Sequence, residues 1–192
     1  MGVVGVAGVA GVGKSTVMAG ASEAGYGNVN FGDMMFEVAQ TKGVADRDQM
    51  RKLPIVEQQR LQRLAGERIA AMGDVVVDTH ASIRTAQGFM PGLPEWTLRA
   101  MAPAIIVLVE ATPAEIAGRR AKDATRQRDD GNVALHQEVN RAFAAAGAVM
   151  VGATVAIIEN HDSGVDAAVA QFRELLARAR RSSSPRRWAG CS

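Results

Sequence analysis

A glycine-rich segment near the amino terminus has the residue types and the spacing of a phosphate-binding turn. Residues 8–15 read Gly-Val-Ala-Gly-Val-Gly-Lys-Ser, which matches G-x-x-x-x-G-K-[S/T] at every fixed position. Glycines let backbone N–H groups converge on one anion, Lys14 would reach the β- and γ-phosphates, and the Ser15 hydroxyl would ligate Mg²⁺. The residues predicted to bind the phosphates of ATP are Gly8, Val9, Ala10, Gly11, Val12, Gly13, Lys14, Ser15 and Thr16.

The sequence on either side of this turn predicts the elements that hold it. Val3–Ala7 is a short apolar run typical of a buried parallel strand, and a helix is expected to begin at Lys14. The amino terminus of that helix would add a partial positive charge beside the phosphates. A ligand-free turn is the alternative, but a lysine followed by a serine at its end favours phosphate binding.

Asp78 is the second residue predicted to serve this site. It follows the apolar run at residues 75–77, and an acid at the carboxyl end of a strand beside such a turn can hold Mg²⁺, usually through water. A helix cap for the next segment is the alternative role. We therefore expect Ser15 and Asp78 to form the metal site, with Mg²⁺ as the cofactor that accompanies ATP.

Arginines cluster after the fourth predicted strand. Two lie on one predicted helix and two follow at its end: Arg119, Arg120, Arg126 and Arg128. Guanidinium groups match the negative charge that a phosphoryl transition state spreads over its oxygens. Beside the phosphate-binding turn, this cluster predicts a mobile arginine lid over about residues 119–131. The alternative is a solvated helix face whose arginines pair with the aspartates of the same segment.

Strands alternate with helices along the chain, which predicts an α/β fold with a five-stranded, mainly parallel sheet and helices on both faces. The strands are expected at residues 3–7, 28–31, 74–78, 105–109 and 154–158. The stretch from Thr79 to Glu95 is rich in glycine and proline and is expected to be an ordered loop. His80, in that loop, is expected to lie near the substrate without transferring a proton, because an attacking phosphate oxygen is already anionic.

The composition limits the class of protein. The chain has 192 residues and 47% of them are hydrophobic, enough for one domain, which we place at residues 1–181. No apolar run approaches the roughly 20 residues of a membrane span, and no signal peptide is expected because residues 3–7 already resemble core. The single cysteine, Cys191, excludes a disulfide framework. We therefore expect a cytoplasmic protein without a membrane partner.

The formal net charge of +2 comes from the carboxyl-terminal stretch. Removing five arginines there would leave the rest of the chain at −3, so nucleic acid is not expected as a partner of the main domain. The five are Arg178, Arg180, Arg181, Arg186 and Arg187. Residues 182–192 are predicted to be a basic, disordered tail. An arm that touches RNA or an acidic partner is the alternative.

Several segments together resemble the archaeal-type adenylate kinases along about residues 3–176. The most specific are residues 46–53, Asp-Arg-Asp-Gln-Met-Arg-Lys-Leu, and residues 88–94, Gly-Phe-Met-Pro-Gly-Leu-Pro. A phosphate-binding turn alone recurs in many unrelated proteins. Further matching segments lie at residues 8–16, 30–35, 77–80, 83–85, 125–129 and 152–155.

This resemblance implies the P-loop nucleoside kinase fold and a reversible, Mg²⁺-dependent transfer from ATP to AMP that gives two ADP. It also implies a homotrimer and a short lid without zinc. Helices at about residues 32–72 would line the AMP pocket, where Asp33 contributes and Arg84 grips the AMP phosphate. The lid residues that would clamp the transferring phosphoryl group are Arg119, Arg126 and Arg128, so the implied catalytic set is these three with Lys14 and Arg84.

The chain departs from the wider adenylate kinase pattern in the AMP pocket. Those enzymes often carry an arginine about where Phe36 lies, and Arg51 is the residue expected to replace it in binding AMP. The glutamine that reads adenine in other adenylate kinases has no clear equivalent. Gln87 lies near the place, but in a different local pattern.

Other functions remain open from the residues alone. A P-loop kinase acting on UMP, CMP or shikimate is the main alternative, because the acceptor pocket and not the P-loop separates these enzymes. A GTP-dependent switch would need Asn-Lys-x-Asp and Asp-x-x-Gly motifs; residues 160–162, Asn-His-Asp, do not supply the first, and the sequence has no example of the second. A nucleic-acid-binding module would leave the P-loop unexplained.

Overall fold

The computed structural model describes residues 2–122 and 131–182. The described strands are β1 (Val3–Ala7), β2 (Gly27–Asn30), β3 (Val75–Asp78), β4 (Ser82–Thr85), β5 (Gly88–Pro91), β6 (Ile105–Glu110) and β7 (Thr154–Glu159). Five of them form a parallel sheet at the centre of the fold, with the strand order β2-β3-β1-β6-β7. The predicted fold class is confirmed.

Helices follow the strands and cover the sheet. The described helices are α1 (Lys14–Met18), α2 (Phe31–Gln40), α3 (Arg47–Lys52), α4 (Ile55–Ala71), α5 (Glu95–Met101), α6 (Pro113–Lys122), α7 (Val133–Val151) and α8 (Val165–Ser182). A 3-10 turn over Ala19–Ala24 extends α1. None of the helices in these ranges has both the length and the apolar character needed to cross a membrane.

The apolar strands divide their side chains between two cores on opposite faces of the sheet. In β1, Val3 and Ala7 pack into one core while Val4 and Val6 pack into the other. A strand buried on both faces must be apolar at every position, which explains the continuous hydrophobic runs of β1, β3 and β6. Helices α2, α4, α5 and α7 cover the first face, and α1, α6 and α8 cover the second.

The prediction of a loop from Thr79 to Glu95 was wrong for part of this stretch. β4 and β5 form a separate antiparallel hairpin in which Arg84 pairs with Phe89. Its strands are four residues long, and glycine and proline at both ends of β5 hide the strand pattern. Proline is tolerated here because Pro91 ends a strand of a two-stranded sheet, where few ladder hydrogen bonds are needed.

The segment between α2 and α4 contains a short helix, α3, that was not singled out from the sequence. Its amino terminus is capped by the Asp46 carboxylate accepting from the Gln49 N–H at 2.8 Å. A helix of six residues shows too little periodicity to be recognised from sequence. This short helix matters because it carries Arg47 and Arg51.

Candidate active site

The glycine-rich turn connects the carboxyl end of β1 to the amino terminus of α1, as predicted. Gly13 has a φ of +87°, and a Cβ there would lie 2.4 Å from Asn160 Nδ2. A Cβ on Gly8 would lie 2.6 Å from the Val109 carbonyl oxygen. Position 13 therefore requires glycine for its backbone conformation as well as for space, whereas position 8 requires glycine for space.

A cavity of about 480 Å³ lies against this turn, at the carboxyl ends of β1, β2 and β3. Of the nine predicted phosphate-binding residues, those that line it are Gly8, Val9, Ala10, Gly11, Gly13, Lys14 and Ser15. The other lining residues are Asn30, Asp78, His80 and Arg119. The Val12 side chain instead packs into the core beneath α1, and Thr16 does not line the cavity.

Lys14 and Asp78 meet inside this cavity. Lys14 Nζ lies 2.6 Å from Asp78 Oδ1 and donates a hydrogen bond to the Thr79 carbonyl at 2.7 Å. The other carboxylate oxygen of Asp78 accepts from Asn30 Nδ2 at 3.2 Å. The three side chains come from the ends of neighbouring strands and from the turn, so the sheet itself brings them together. The cation and the carboxylate needed for phosphate and metal chemistry are therefore adjacent.

The donor set in this cavity fits a magnesium ion. The Ser15 hydroxyl and the Asp78 carboxylate are hard oxygen donors, and both line the cavity. Mg²⁺ keeps several waters and is usually held by one or two protein groups together with substrate phosphates. The residues present are therefore compatible with the predicted cofactor.

Arg119 is hydrogen-bonded to the backbone of the phosphate-binding turn and to that of the loop after β7. It lies in the last turn of α6, and its Nη1 donates to the Val12 carbonyl at 2.9 Å. Its Nη2 donates to the Asn160 carbonyl, and its Nε to Asp162 Oδ1, both at 2.7 Å. Arg119 thus ties the phosphate-binding turn to the loop after β7 while still lining the cavity. Its predicted contact with a transferring phosphoryl group remains a prediction.

Arg120 also contacts the backbone of the phosphate-binding turn, since its Nε donates to the Ala10 carbonyl at 2.9 Å. The other two predicted lid arginines, Arg126 and Arg128, lie outside the described residues. Of the segment predicted to form a lid, the structure therefore describes residues 119–122, whose two arginines bind the turn, and Gly131.

The loop after β7 is fixed to α6 by a cluster of charged side chains. His161 Nδ1 lies 3.0 Å from Glu115 Oε2, its Nε2 lies 3.2 Å from Glu159 Oε2, and Asp162 N–H donates to Glu115 Oε1. These hydrogen bonds, first that to Glu115, raise the pKa of His161. The same bond from His161 and a second from Thr112 hold the pKa of Glu115 well below its usual range. The cluster keeps Asp162 in place as a partner of Arg119.

His80 lies in the cavity, as expected from its position after Asp78. Burial, followed by the charge of Lys14, lowers the pKa of the His80 side chain. The imidazole is therefore neutral near pH 7, because both causes disfavour adding a positive charge. A neutral ring beside Lys14 adds no further positive charge to the site.

Two asparagines belong to the site and were not singled out from the sequence. Asn30 caps α2 through Asp33 N–H and also binds Asp78. Asn160, 2% exposed, donates from Nδ2 to the Val12 carbonyl at 2.8 Å. Each is a polar residue at the carboxyl end of a parallel strand, which is the signal that identified Asp78 and could have identified them.

On the proposed acceptor side, Arg47 rather than Arg51 lies beside the predicted residues. Arg47 forms an ion pair with Asp33 in the first turn of α2, and its guanidinium lies 5.3 Å from the centre of the Phe36 ring. Arg51 instead pairs with Asp48 in its own helix at 2.9 Å, and its side chain is 71% exposed. No arginine is close to Phe36 in the sequence, but the path of the chain between α2 and α3 brings Arg47 beside it.

Arg84 lies on β4, outside the set of residues that line the cavity. The hairpin that carries it is fixed to α7: buried Asn140 accepts from both the N–H and the hydroxyl of Ser82, the latter at 2.6 Å. The rings of Phe89 and His136 add a second contact, with centres 4.9 Å apart. The structure thus fixes the hairpin that carries Arg84 to α7.

Comparison with known proteins agrees with this geometry. A family model described as an AAA domain matches residues 7–136. Adenylate kinases from Thermoplasma volcanium and Methanocaldococcus jannaschii are 49% and 48% identical to the chain; the alignments cover 89% and 91% of it and 97% of each relative. A solved gluconokinase from Sinorhizobium meliloti and a shikimate kinase from Acinetobacter baumannii in complex with shikimate share the fold.

Both of these structures give a TM-score of 0.53. The gluconokinase is 16% identical and the match covers 94% of each chain, whereas the shikimate kinase is 14% identical and the match covers 96% of each. Identities this low show a common fold and nothing about the acceptor. The relatives at nearly 50% identity over almost their full length show more, and by that similarity the chain belongs to the adenylate kinase family.

Proposed function

We propose that the chain is an adenylate kinase, which transfers the γ-phosphoryl group of ATP to AMP and gives two ADP in a reversible reaction. The observation that carries this proposal is the complete phosphate-binding turn, with Lys14 and Asp78 2.6 Å apart at its mouth, in a chain nearly half identical to named adenylate kinases. Phosphoryl transfer needs little covalent chemistry from the protein, so positioning and charge account for most of the rate.

Each group has a separate task in this reaction. The backbone N–H groups of the turn and the amino terminus of α1 hold the triphosphate. Lys14 neutralises charge that develops between the β- and γ-phosphates, and Arg84 holds the acceptor phosphate. Arg126 and Arg128 close over the transferring group when both substrates are present. No side chain needs to remove a proton, because the attacking phosphate oxygen of AMP is already anionic, and neutral His80 is consistent with that.

Ser15 and Asp78 would hold Mg²⁺, which supplies further charge neutralisation on the phosphate oxygens when bound. Asp78→Asn is therefore expected to raise the Mg²⁺ concentration for half-maximal rate about 10-fold, as loss of a group that acts on a metal through water typically does. ATP binding without metal should change less, since asparagine keeps the shape and the contact with Asn30. A magnesium titration of the initial rate measures this, and a titration like that of the wild type would leave Asp78 as a cap.

The identity of the phosphate acceptor is tested with a panel of four candidate acceptors. ATP is mixed with AMP, UMP, CMP or shikimate, and ADP formation is followed as an initial rate. We expect AMP to give the highest kcat/KM by a wide margin. A preference for UMP or CMP would leave the kinase assignment standing and replace the acceptor, whereas a preference for shikimate would move the chain to the second candidate class.

Arg47 is proposed to contribute to AMP binding in the role assigned from the sequence to Arg51. The guanidinium of Arg47 contacts Asp33 and the Phe36 ring, where the AMP pocket is proposed. Arg47→Ala is therefore expected to raise the KM for AMP about 10-fold, which is the effect of losing one charge-assisted hydrogen bond. Arg51→Ala is the matched control, since that side chain pairs with Asp48 in the same short helix. A larger effect at Arg51 than at Arg47 would restore the original assignment.

The resemblance to archaeal-type adenylate kinases further supports one catalytic domain over residues 1–181, a homotrimer and a cytoplasmic location. Exposed apolar side chains lie at the end of α7 and on the edge strand β7, where contact with another subunit would bury them. Val149 is 86% exposed and Ile157 is 41% exposed. The molar mass from light scattering tests the trimer, and a monomer would contradict it. No nucleic-acid partner is proposed, except through the basic tail.

A further inference from the structure

Gly131 lies directly against the guanidinium group of Arg84. A Cβ placed on Gly131 would be 1.2 Å from Arg84 Nη1 and 2.5 Å from Arg84 Cζ. These separations are far below any van der Waals contact, so the guanidinium occupies the space that a side chain at position 131 would need. The pair joins residues far apart in sequence, one on β4 and one just before α7.

The elements on both sides of this contact are held in place. Asn132 caps α7 by accepting from Leu135 N–H at 3.0 Å, which fixes the chain next to Gly131. The hairpin that carries Arg84 is bound to the same helix through the hydrogen bonds from Ser82 to buried Asn140. The hairpin and the chain on the carboxyl side of Gly131 are thus restrained, whereas the Arg84 guanidinium is the far end of a long side chain and can shift more easily. A larger residue at position 131 must therefore displace the guanidinium.

We propose that Gly131 is a positioning residue for Arg84. Because position 131 has no side chain, the guanidinium has room to lie where it can receive the phosphate of the acceptor. The inference rests on the proposed role of Arg84 in binding AMP. It adds a residue that touches no substrate and that no motif singled out. Its physical basis is space, since one methyl group would push a charged group away from the place it occupies.

Gly131→Ala is expected to raise the KM for AMP about 10-fold, because a shift of about 1 Å in a positioning group can cost that much or more. The KM for ATP and the thermal midpoint should stay near the wild-type values, because the displaced atoms are the far end of a flexible side chain. Gly118→Ala is the matched control: Gly118 lies on α6, and a Cβ there would meet nothing within 4 Å.

The decisive comparison is the double variant. In an Arg84→Ala background the added methyl group has room, so Gly131→Ala should change the KM for AMP by less than about twofold, which is a non-additive result. An equal loss in both backgrounds would show a backbone effect and overturn the inference, as would a lower KM for AMP in the single variant. If Arg84→Ala itself leaves the KM for AMP unchanged, the proposed role of Arg84 fails first and the inference fails with it.

Discussion

Replacing Lys14 by alanine is expected to lower kcat at least about 10²-fold with the fold intact. Lys14 is the cation proposed to neutralise the β- and γ-phosphates, and one such group in a preorganised site typically accounts for this much rate. Its side chain is 14% exposed and contacts Asp78 and the Thr79 carbonyl. Alanine removes these contacts as well, while the hydrogen bond from Asn30 to the Asp78 carboxylate stays in place.

The measurement is the initial rate of ADP formation at saturating ATP and AMP, with the thermal midpoint as a check on folding. Lys42→Ala is the matched control, because Lys42 is an exposed lysine beyond the carboxyl end of α2 and does not line the cavity. Near-normal turnover of well-folded Lys14→Ala protein would overturn the assignment of the phosphate-binding turn.

Arg84→Ala is expected to raise the KM for AMP strongly, to lower kcat, and to leave the KM for ATP nearly unchanged. Arg84 is proposed to hold the acceptor phosphate in the ground state and in the transition state, so both binding and positioning depend on it. A charged group lost from such a site costs about 2–4 kcal/mol, or roughly 30- to 1,000-fold in rate.

Arg126→Ala and Arg128→Ala should give a different pattern. These residues are proposed to close over the phosphoryl group only when both substrates are bound, so kcat should fall with smaller effects on either KM. Arg99→Ala is the control, since Arg99 pairs with Glu95 within α5, away from the cavity. The division of roles is wrong if Arg84→Ala spares AMP affinity or if both lid variants turn over normally.

Much of the fold could be predicted from the sequence because strands and helices leave local patterns of apolar residues. A buried parallel strand must be apolar throughout, and β1, β3 and β6 showed this as continuous runs. The start of α6 is likewise set locally, because the Glu115 carboxylate accepts from Thr112 N–H at 3.0 Å. The β4–β5 hairpin was not predicted, because its strands are four residues long and contain glycine and proline, so they show too little hydrophobic alternation.

The assignment of arginines shows the limit of sequence reasoning more clearly. Spacing alone identified a cluster at residues 119–128, but it could not show that Arg119 donates to the Val12 carbonyl, 107 positions away. Likewise, the sequence pointed to Arg51 as the replacement for an arginine at about the place of Phe36, whereas the path of the chain between α2 and α3 brings Arg47 there. Long side chains with several donors find partners only once the elements around them are packed.

By itself, the sequence determined the phosphate-binding turn, because its glycines, Lys14 and Ser15 act within one short segment whose conformation is set locally. It also determined that Asp78 ends a strand beside that turn, since apolar patterning marks where β3 stops. Only the tertiary structure decided that Asn30 and Asp78 share a hydrogen bond and that Arg84 lies over Gly131. These contacts depend on strand order and helix packing, which are properties of the whole chain.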